Sequence, residues 1–337
     1  MAELAIGIGM SHGPMVMCEA PTWLRMGELD RRSSLLIDAT GRPVTFEELA
    51  RANGDRYAEQ ATLERLEAQS AQVKRSLARI KDEFTQAAPD VVVVVGDDQL
   101  ELFDHDNMPA LAVYFGEELV SCTRTRLGRY GDRIPGGLDD VNRGYGMDRH
   151  HRWPGHEPFA QHLISTLIER HFDVSAVKGI TDPERGGIGH AFGVVETQLI
   201  DGRGLPLVPV FVNTYWPPNQ LTPARCYELG LALRGAIEAY PQGLRVALVA
   251  SGGLSHFVTD EELDRRTLEA LRAGDAQGVC DLPAELLNSG NSEVRNWIVV
   301  AAACEDLSLA WDDYIPVYRT PAGTGCGLAF ARWAAPA

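Results

Sequence analysis

The chain has 337 residues, 45% of them hydrophobic, which is the composition of an ordinary globular protein with ample material for a core. Its 31 lysines and arginines stand against 47 acidic residues, and the formal charge of −16 argues against nucleic acid or an anionic membrane as a partner. No apolar run approaches the roughly 20 residues that span a bilayer, and the N-terminus lacks the basic region of a secretory signal.

The N-terminal part of the chain predicts a strand followed by helices. Residues 4–8 form a short apolar run that leads into His12. Thr45, with a glutamate three residues later, has the pattern of a helix N-cap. Apolar residues then recur at three- and four-residue spacing over residues 63–84, which predicts a long amphipathic helix. A helical insertion is therefore expected at about residues 19–88.

The stretch from Asp90 to Phe103 reads D-V-V-V-V-V-G-D-D-Q-L-E-L-F. Five consecutive valines without alternation predict a strand buried on both faces, at the centre of a sheet. Gly96 ends this strand, and ligands of open α/β sheets bind where strands end at their carboxyl side. We therefore expect residues 96–101 to form one wall of a site. A solvated acidic turn is the alternative interpretation of the same residues.

Strands and helices alternate through the rest of the chain. Strands are predicted at 108–115, 173–178, 207–212 and 244–250, and helices at 158–170, 223–238, from about 260, and at 293–303. Residues 123–149, rich in Gly, Arg and Asp, predict a long irregular loop of the kind that is often functional. The alternation favours an α/β fold, with residues 1–337 as a single domain that has a central mixed or mainly parallel sheet flanked by helices.

Six cysteines are scattered without C-x-x-C spacing. They are Cys18, Cys122, Cys226, Cys280, Cys304 and Cys326. This pattern predicts reduced thiols in a cytoplasmic protein and argues against a disulfide framework or a zinc cage.

Three of the nine histidines, His12, His190 and His256, each follow an apolar strand and a turn that contains glycine or serine. One such histidine is most often structural, but three of them beside an acidic strand end indicate a common pocket. Glu293 starts an apolar helix, where it either complements the helix dipole or contributes a functional carboxylate. A carboxylate with neutral imidazoles from separate elements suits Fe(II), Mn(II) or Zn(II) with open positions.

Several blocks occur in a specific order along most of the chain. They are G-I-G-M-S-H-G-P-M at 7–15, P-D-V-V-V-V-V-G-D-D at 89–98, G-H-E-P-F-A-Q-H-L at 155–163, the loop to His190, A-R-C-Y-E-L-G at 224–230, S-G-G-L-S-H at 251–256 and S-E-V-R-N-W at 292–297. Together they resemble the class III extradiol ring-cleavage dioxygenases, in particular the catalytic subunits of protocatechuate 4,5-dioxygenases.

The resemblance implies Fe(II)-dependent extradiol cleavage of a catecholic or gallate-type aromatic acid with O2, in aromatic (lignin-type) catabolism. Carried over position by position, it implies His12 and Glu293 as iron ligands. It also implies His256 as an acid/base residue near the metal and His190 as a residue that places the substrate. We expect the small aromatic substrate and O2 as partners, and a homodimer as the assembly.

The chain departs from the family at the second histidine ligand, where the alignment places Gln99. An amide oxygen is a weaker donor than imidazole but still coordinates iron, so the predicted metal ligands are His12, Gln99 and Glu293. Asp97, Asp98 or Glu101 are the alternatives as harder ligands. The G-D-D-Q form is similar to a branch of the family that includes 3-O-methylgallate dioxygenases.

An arginine is expected to hold a substrate carboxylate through paired hydrogen bonds. The candidates are Arg124, Arg126, Arg129, Arg149 and Arg152. Two other functions are open at this point. One is a metal-poor family member with a binding role, motivated by Gln99, and the other is a Zn(II)-dependent hydrolase, because the same ligands suit zinc-activated water.

Overall fold

The structure, a computed structural model, describes residues 1–123 and 139–335. In this part of the chain one mixed sheet of nine strands is flanked by helices, and two short strands pair separately. The strands of the main sheet are β1 (Glu3–Met10), β2 (Val91–Gly96), β3 (Leu111–Tyr114), β6 (Ser175–Val177), β7 (Leu207–Val212), β8 (Arg245–Ser251), β9 (His256–Val258), β10 (Ser308–Tyr318) and β11 (Thr324–Ala334). The separate antiparallel pair is β4 (Glu118–Val120) with β5 (Arg152–Pro154).

The helices lie on both faces of this sheet. They are α1 (Ala20–Asp30), α2 (Phe46–Asn53), α3 (Leu63–Ala87), α4 (Asp139–Gly144), α5 (Glu157–Glu169), α6 (His190–Val194), α7 (Pro223–Ala239), α8 (Glu261–Ala273), α9 (Ala276–Cys280) and α10 (Val294–Ala303). The predicted α/β class, with a central mixed sheet between helices, is confirmed.

The five valines of β2 lie at the centre of the sheet, as their lack of alternation predicts. All five are fully buried, and they alternate between the two core clusters on opposite faces of the sheet. β2 runs parallel to β8 on one side and to β7 on the other, and β8 runs parallel to β1. Because these four strands run in the same direction, their carboxyl ends meet at one edge of the sheet.

The N-terminal helices follow the local signals in the sequence. The Thr45 hydroxyl accepts the Glu48 N–H, and the Glu48 carboxylate accepts the Thr45 N–H at 2.7 Å, which confirms the predicted cap. α3 buries an apolar stripe against the sheet, and Phe84 ends that stripe. Helices α1 to α3 occupy residues 19–88, where the sequence predicts an insertion; that these residues are inserted into a single domain stays a prediction.

The C-terminal pair β10–β11 is absent from the sequence prediction. β11 pairs with β1 and is buried along most of its length, while β10 lies at the edge of the sheet. α4 lies in the stretch predicted as an irregular loop, and β3 is shorter than its predicted strand. The turn after β10 places Arg319 against Asp30 of α1, a contact that no local pattern indicates.

Within residues 1–123 and 139–335, the helices are all too short or too polar to cross a membrane. The six cysteines form no disulfide bond in the described part of the chain, and all except Cys280 are buried.

Candidate metal centre

Four ionisable side chains converge at the carboxyl ends of the parallel strands. His12 follows β1, Asp97 follows β2, His190 begins α6, and Glu293 directly precedes α10. Each offers a ligand atom within 4.8 Å of the other three, and no residue of the four is more than 4% exposed. The structure thus brings together three of the predicted site residues, His12, His190 and Glu293. The fourth member is Asp97, one of the alternatives that the sequence analysis gives for the remaining ligand.

Hydrogen bonds determine which nitrogen of His12 faces this cluster. Ser251 donates its hydroxyl proton to the Ala191 carbonyl at 2.6 Å, so the Ser251 oxygen accepts Nδ1–H of His12 at 3.0 Å. Nε2 of His12 is then left for a metal, and it lies 3.1 Å from Glu293 Oε2. An outer partner on the far nitrogen is the usual way in which proteins orient a metal-binding imidazole.

His190 is oriented by a buried carboxylate. Its Nδ1 lies 2.8 Å from both oxygens of Glu101, a fully buried residue. The main-chain oxygen of Glu101 also accepts the N–H of Gly187 at 3.0 Å, so Glu101 fixes both the loop and the ring. Gly189 permits this contact, because a Cβ at that position would lie 1.8 Å from Glu101 Oε2. Nε2 of His190 is therefore the nitrogen available to the cavity.

His256 approaches Glu293 from the cavity side. Nδ1 of His256 donates to the Leu254 carbonyl at 3.0 Å. Nε2 lies 3.2 Å from Glu293 Oε1 and 3.4 Å from the Tyr215 hydroxyl. All three predicted histidines therefore direct Nδ1 to an outer partner.

Glu293 is the electrostatic centre of the site. Burial would raise the pKa of its carboxyl, but His256 and His12 outweigh that effect and hold the pKa well below its usual range. Burial likewise lowers the pKa of both histidines, and Glu293 outweighs it, so that the pKa of each histidine is raised. The Gly253 N–H also donates to Glu293 Oε2 at 2.7 Å. A divalent cation can take the place of protons beside such a buried anion.

Asp97 shows that the donor set fits a metal. Its Oδ1 is buried and has no hydrogen-bond partner in the described part of the chain, whereas Oδ2 accepts Nε2 of Gln99 at 3.3 Å. Burial, followed by the charge of Glu293, raises the pKa of Asp97 to about 6. A buried polar atom without a partner costs about 1–3 kcal/mol, and coordination to a cation would remove this cost. Two carboxylates and two imidazoles suit a divalent metal that accepts both oxygen and nitrogen ligands.

The other three candidates for the third ligand, Gln99, Asp98 and Glu101, lie near the cluster, and each has hydrogen-bond partners of its own. Nε2 of Gln99 lies 3.3 Å from both Asp97 Oδ2 and Glu293 Oε1, so the amide faces the cluster with its donor nitrogen. The Asp98 carboxylate accepts the backbone N–H groups of Leu102 and Phe103 at 2.8 and 3.2 Å. The Glu101 carboxylate is held by His190.

A cavity of about 260 Å³ opens beside the cluster. His12, His190, His256 and Glu293 contribute to its polar end, and Gln99 and Leu100 come from the predicted wall at residues 96–101. Its other sides are largely apolar and aromatic; they include Pro14, Met15, Tyr215, Trp216 and Phe257. Small-molecule sites are typically apolar cavities with a few convergent polar groups, so this shape suits a flat ring with one polar edge.

The arginines proposed for substrate binding do not line this cavity where they are described. Arg124, Arg126 and Arg129 lie outside the described residues. Arg149 and Arg152 are exposed, and Arg152 pairs with Glu118. Arg319, which the sequence prediction omits, is the one arginine or lysine that lines the cavity in the described part of the chain.

Comparisons with known proteins place the chain beside aromatic ring-opening dioxygenases. Residues 62–328 match the family described as the catalytic LigB subunit of aromatic ring-opening dioxygenase. Gallate dioxygenase of Pseudomonas putida is 32% identical over 160 residues, which cover 43% of this chain and 45% of that protein. The 2,3-dihydroxyphenylpropionate/2,3-dihydroxicinnamic acid 1,2-dioxygenase of Comamonas testosteroni is 25% identical over 187 residues, which cover 55% of this chain and 48% of that protein. The chain thus spans about half the length of the curated relatives it matches.

Replacing Gly189 with alanine tests the contact between Glu101 and His190. Gly189→Ala is expected to lower the free energy of unfolding by about 1–3 kcal/mol, because the new Cβ overlaps the buried carboxylate. Gly179→Ala is the control, since nothing lies within 4 Å of a Cβ there. Chemical denaturation measures both variants, and equal stabilities would contradict the close approach at Gly189.

Proposed function

The chain belongs to the LigB family, the catalytic subunits of aromatic ring-opening dioxygenases, and on this premise we propose that it cleaves a catecholic or gallate-type aromatic acid with O2 and Fe(II). The proposed cleavage is extradiol, beside the two ring hydroxyls, and serves aromatic catabolism. The observation that carries the proposal is the buried cluster of His12, Asp97, His190 and Glu293 at one end of an aromatic-lined cavity. Both relatives are named for aromatic acids, which supports the same substrate class.

His12, Asp97 and Glu293 would hold the metal. His12 already presents Nε2, Asp97 offers an oxygen without a partner, and Glu293 joins them within the cluster. Gln99, the third ligand predicted from the sequence, would bind only after its amide turned to present Oε1 in place of Nε2. We therefore favour Asp97 as the third ligand, with Gln99 hydrogen-bonded to both carboxylates.

Fe(II), when bound, supplies the centre at which the hydroxyl oxygens of the ring and O2 react. The cavity walls would orient the substrate ring, and their apolar side chains would exclude bulk water. Glu101 fixes the ring of His190, so that Nε2 of His190 can hydrogen-bond a substrate oxygen in a constant position.

His256 is the proposed acid and base. Because Nδ1 donates to the Leu254 carbonyl, Nε2 is the atom that takes a proton from a substrate hydroxyl and later returns it. Glu293 and the Tyr215 hydroxyl lie on either side of this nitrogen and hold it in place. An imidazole suits this exchange because its ordinary pKa lies close to neutral pH.

We also propose a cytoplasmic location and a homodimeric assembly. Six cysteines that form no disulfide bond among the described residues support a reducing compartment. The charge of −16 supports a small-molecule partner and argues against nucleic acid. The homodimer rests on the sequence-based expectation alone.

Oxygen consumption tests the proposed reaction. Protein loaded anaerobically with Fe(II) is expected to consume O2 in equal proportion to a catecholic acid, and protein loaded with Zn(II) is expected to be inactive. An oxygen electrode and product analysis measure this. A site that retains little metal and gives no oxygen uptake with any catechol would favour a binding protein. Turnover that continues without O2 would indicate a hydrolase.

Metal titration distinguishes the two candidates for the third ligand. Asp97→Asn is expected to weaken metal binding by at least about 10-fold, since the loss of even an outer partner typically costs 10–100-fold. Gln99→Ala is expected to weaken metal binding less, because the amide donates hydrogen bonds to the two carboxylates and is not itself the favoured ligand. Anaerobic calorimetry with Fe(II) measures both variants, and the reverse order would make the Gln99 amide oxygen the ligand.

Replacing His256 separates proton transfer from metal binding. His256→Phe is expected to retain Fe(II), while kcat/KM falls by roughly 10²–10⁴-fold, the usual contribution of a positioned acid or base. Metal analysis and oxygen uptake on the same preparation give both values. Turnover at the wild-type rate would exclude His256 from the reaction.

A further inference from the structure

Arg319 brings a buried positive charge to the cavity wall. It lies in the turn after β10, where its N–H donates to the Thr324 carbonyl at 2.7 Å, and it is only 8% exposed. Two residues of β11, Gly325 and Cys326, line the same cavity. Arg319 itself is among the residues that line this cavity.

Asp30 holds one edge of the Arg319 guanidinium. Nε and Nη2 donate to the two oxygens of Asp30 at 3.0 Å each, and Asp30 is itself 5% exposed. A buried arginine needs such a partner, because an unpaired charge in the interior is strongly unfavourable. The pair leaves Nη1 of Arg319 without a hydrogen-bond partner in the described part of the chain. A guanidinium that is paired along one edge is fixed in position, and its remaining N–H groups can still donate to a second anion.

The charges of the protein indicate which group of a ligand the Arg319 guanidinium would bind. The overall charge of −16 repels a carboxylate, so binding of a carboxylate in this cavity needs a positive charge nearby. Arg319 is the one arginine or lysine on the described cavity wall. We propose that Arg319, positioned by Asp30, binds the carboxylate of the aromatic substrate and so makes the site selective for acids over neutral catechols. This inference rests on the function proposed above.

The ratio of kcat/KM for 3,4-dihydroxybenzoate to kcat/KM for catechol tests the proposal. In the double variant Asp30→Asn/Arg319→Gln, an amide pair replaces the ion pair, so no buried charge is left alone. The ratio is expected to fall by about 10- to 100-fold, as for the loss of a charged hydrogen-bond pair. Arg152→Gln is the control, since Arg152 is exposed and pairs with Glu118 away from the cavity, and it is expected to keep the wild-type ratio.

Anaerobic calorimetry provides a readout without turnover. The double variant is expected to lose affinity for 3,4-dihydroxybenzoate by a larger factor than for catechol. Two results in the folded double variant would overturn the role of Arg319. One is a ratio of the two kcat/KM values within twofold of wild type, and the other is an equal loss of affinity for 3,4-dihydroxybenzoate and for catechol. Absence of oxygen uptake by the wild-type protein would instead overturn the proposed reaction, while the two binding constants would still decide whether Arg319 recognises the carboxylate.

Discussion

The site depends on one buried carboxylate that is shared by two imidazoles. Glu293 lies between His12 at 3.1 Å and His256 at 3.2 Å, and no part of it is exposed. The interaction joins the end of β1, the start of β9 and the residue before α10. His256 lies 37 residues before Glu293 in sequence, whereas His12 comes from the other end of the chain. An anion in such a place is stable only with protons or a cation beside it. The fold therefore places a buried anion where a cation could bind.

The register of the sheet determines how this anion meets its partners. Met10 of β1 pairs with Ser251 of β8 in the parallel ladder, so His12 emerges beside the Ser251 hydroxyl that accepts its Nδ1–H. That register is specified because the strands are buried on both faces, and slippage would disrupt both core clusters. The buried valines thus contribute to the chemistry indirectly, since they set the positions of the strand ends.

The sequence predicts those parts of the molecule whose signals are local. The valines of β2 predict the sheet centre, Thr45 predicts a cap, and the repeated strand–turn–histidine context predicts a common pocket for His12, His190 and His256. Long-range pairing is what it omits. Asp30 and Arg319 are separated by 289 residues, and Arg319 reaches the cavity only because β10 and β11 pair beside β1. Likewise, the sequence predicts Gln99 as a ligand, with Asp97, Asp98 or Glu101 as alternatives, and it does not reveal the direction of the Gln99 amide.

The proposed ligand set of His12, Asp97 and Glu293 would affect how readily a bound substrate hydroxyl loses its proton. Two histidines and one carboxylate leave a divalent metal with one net positive charge, which favours loss of a proton from a bound hydroxyl. With Asp97 as a second carboxylate and a neutral amide at Gln99, the centre would be neutral and would acidify the substrate less. A nearby base then becomes more important, and Nε2 of His256 is the imidazole nitrogen on the cavity side of Glu293. If the chain has the proposed function, the amide at position 99 would therefore increase the role of His256 in the reaction.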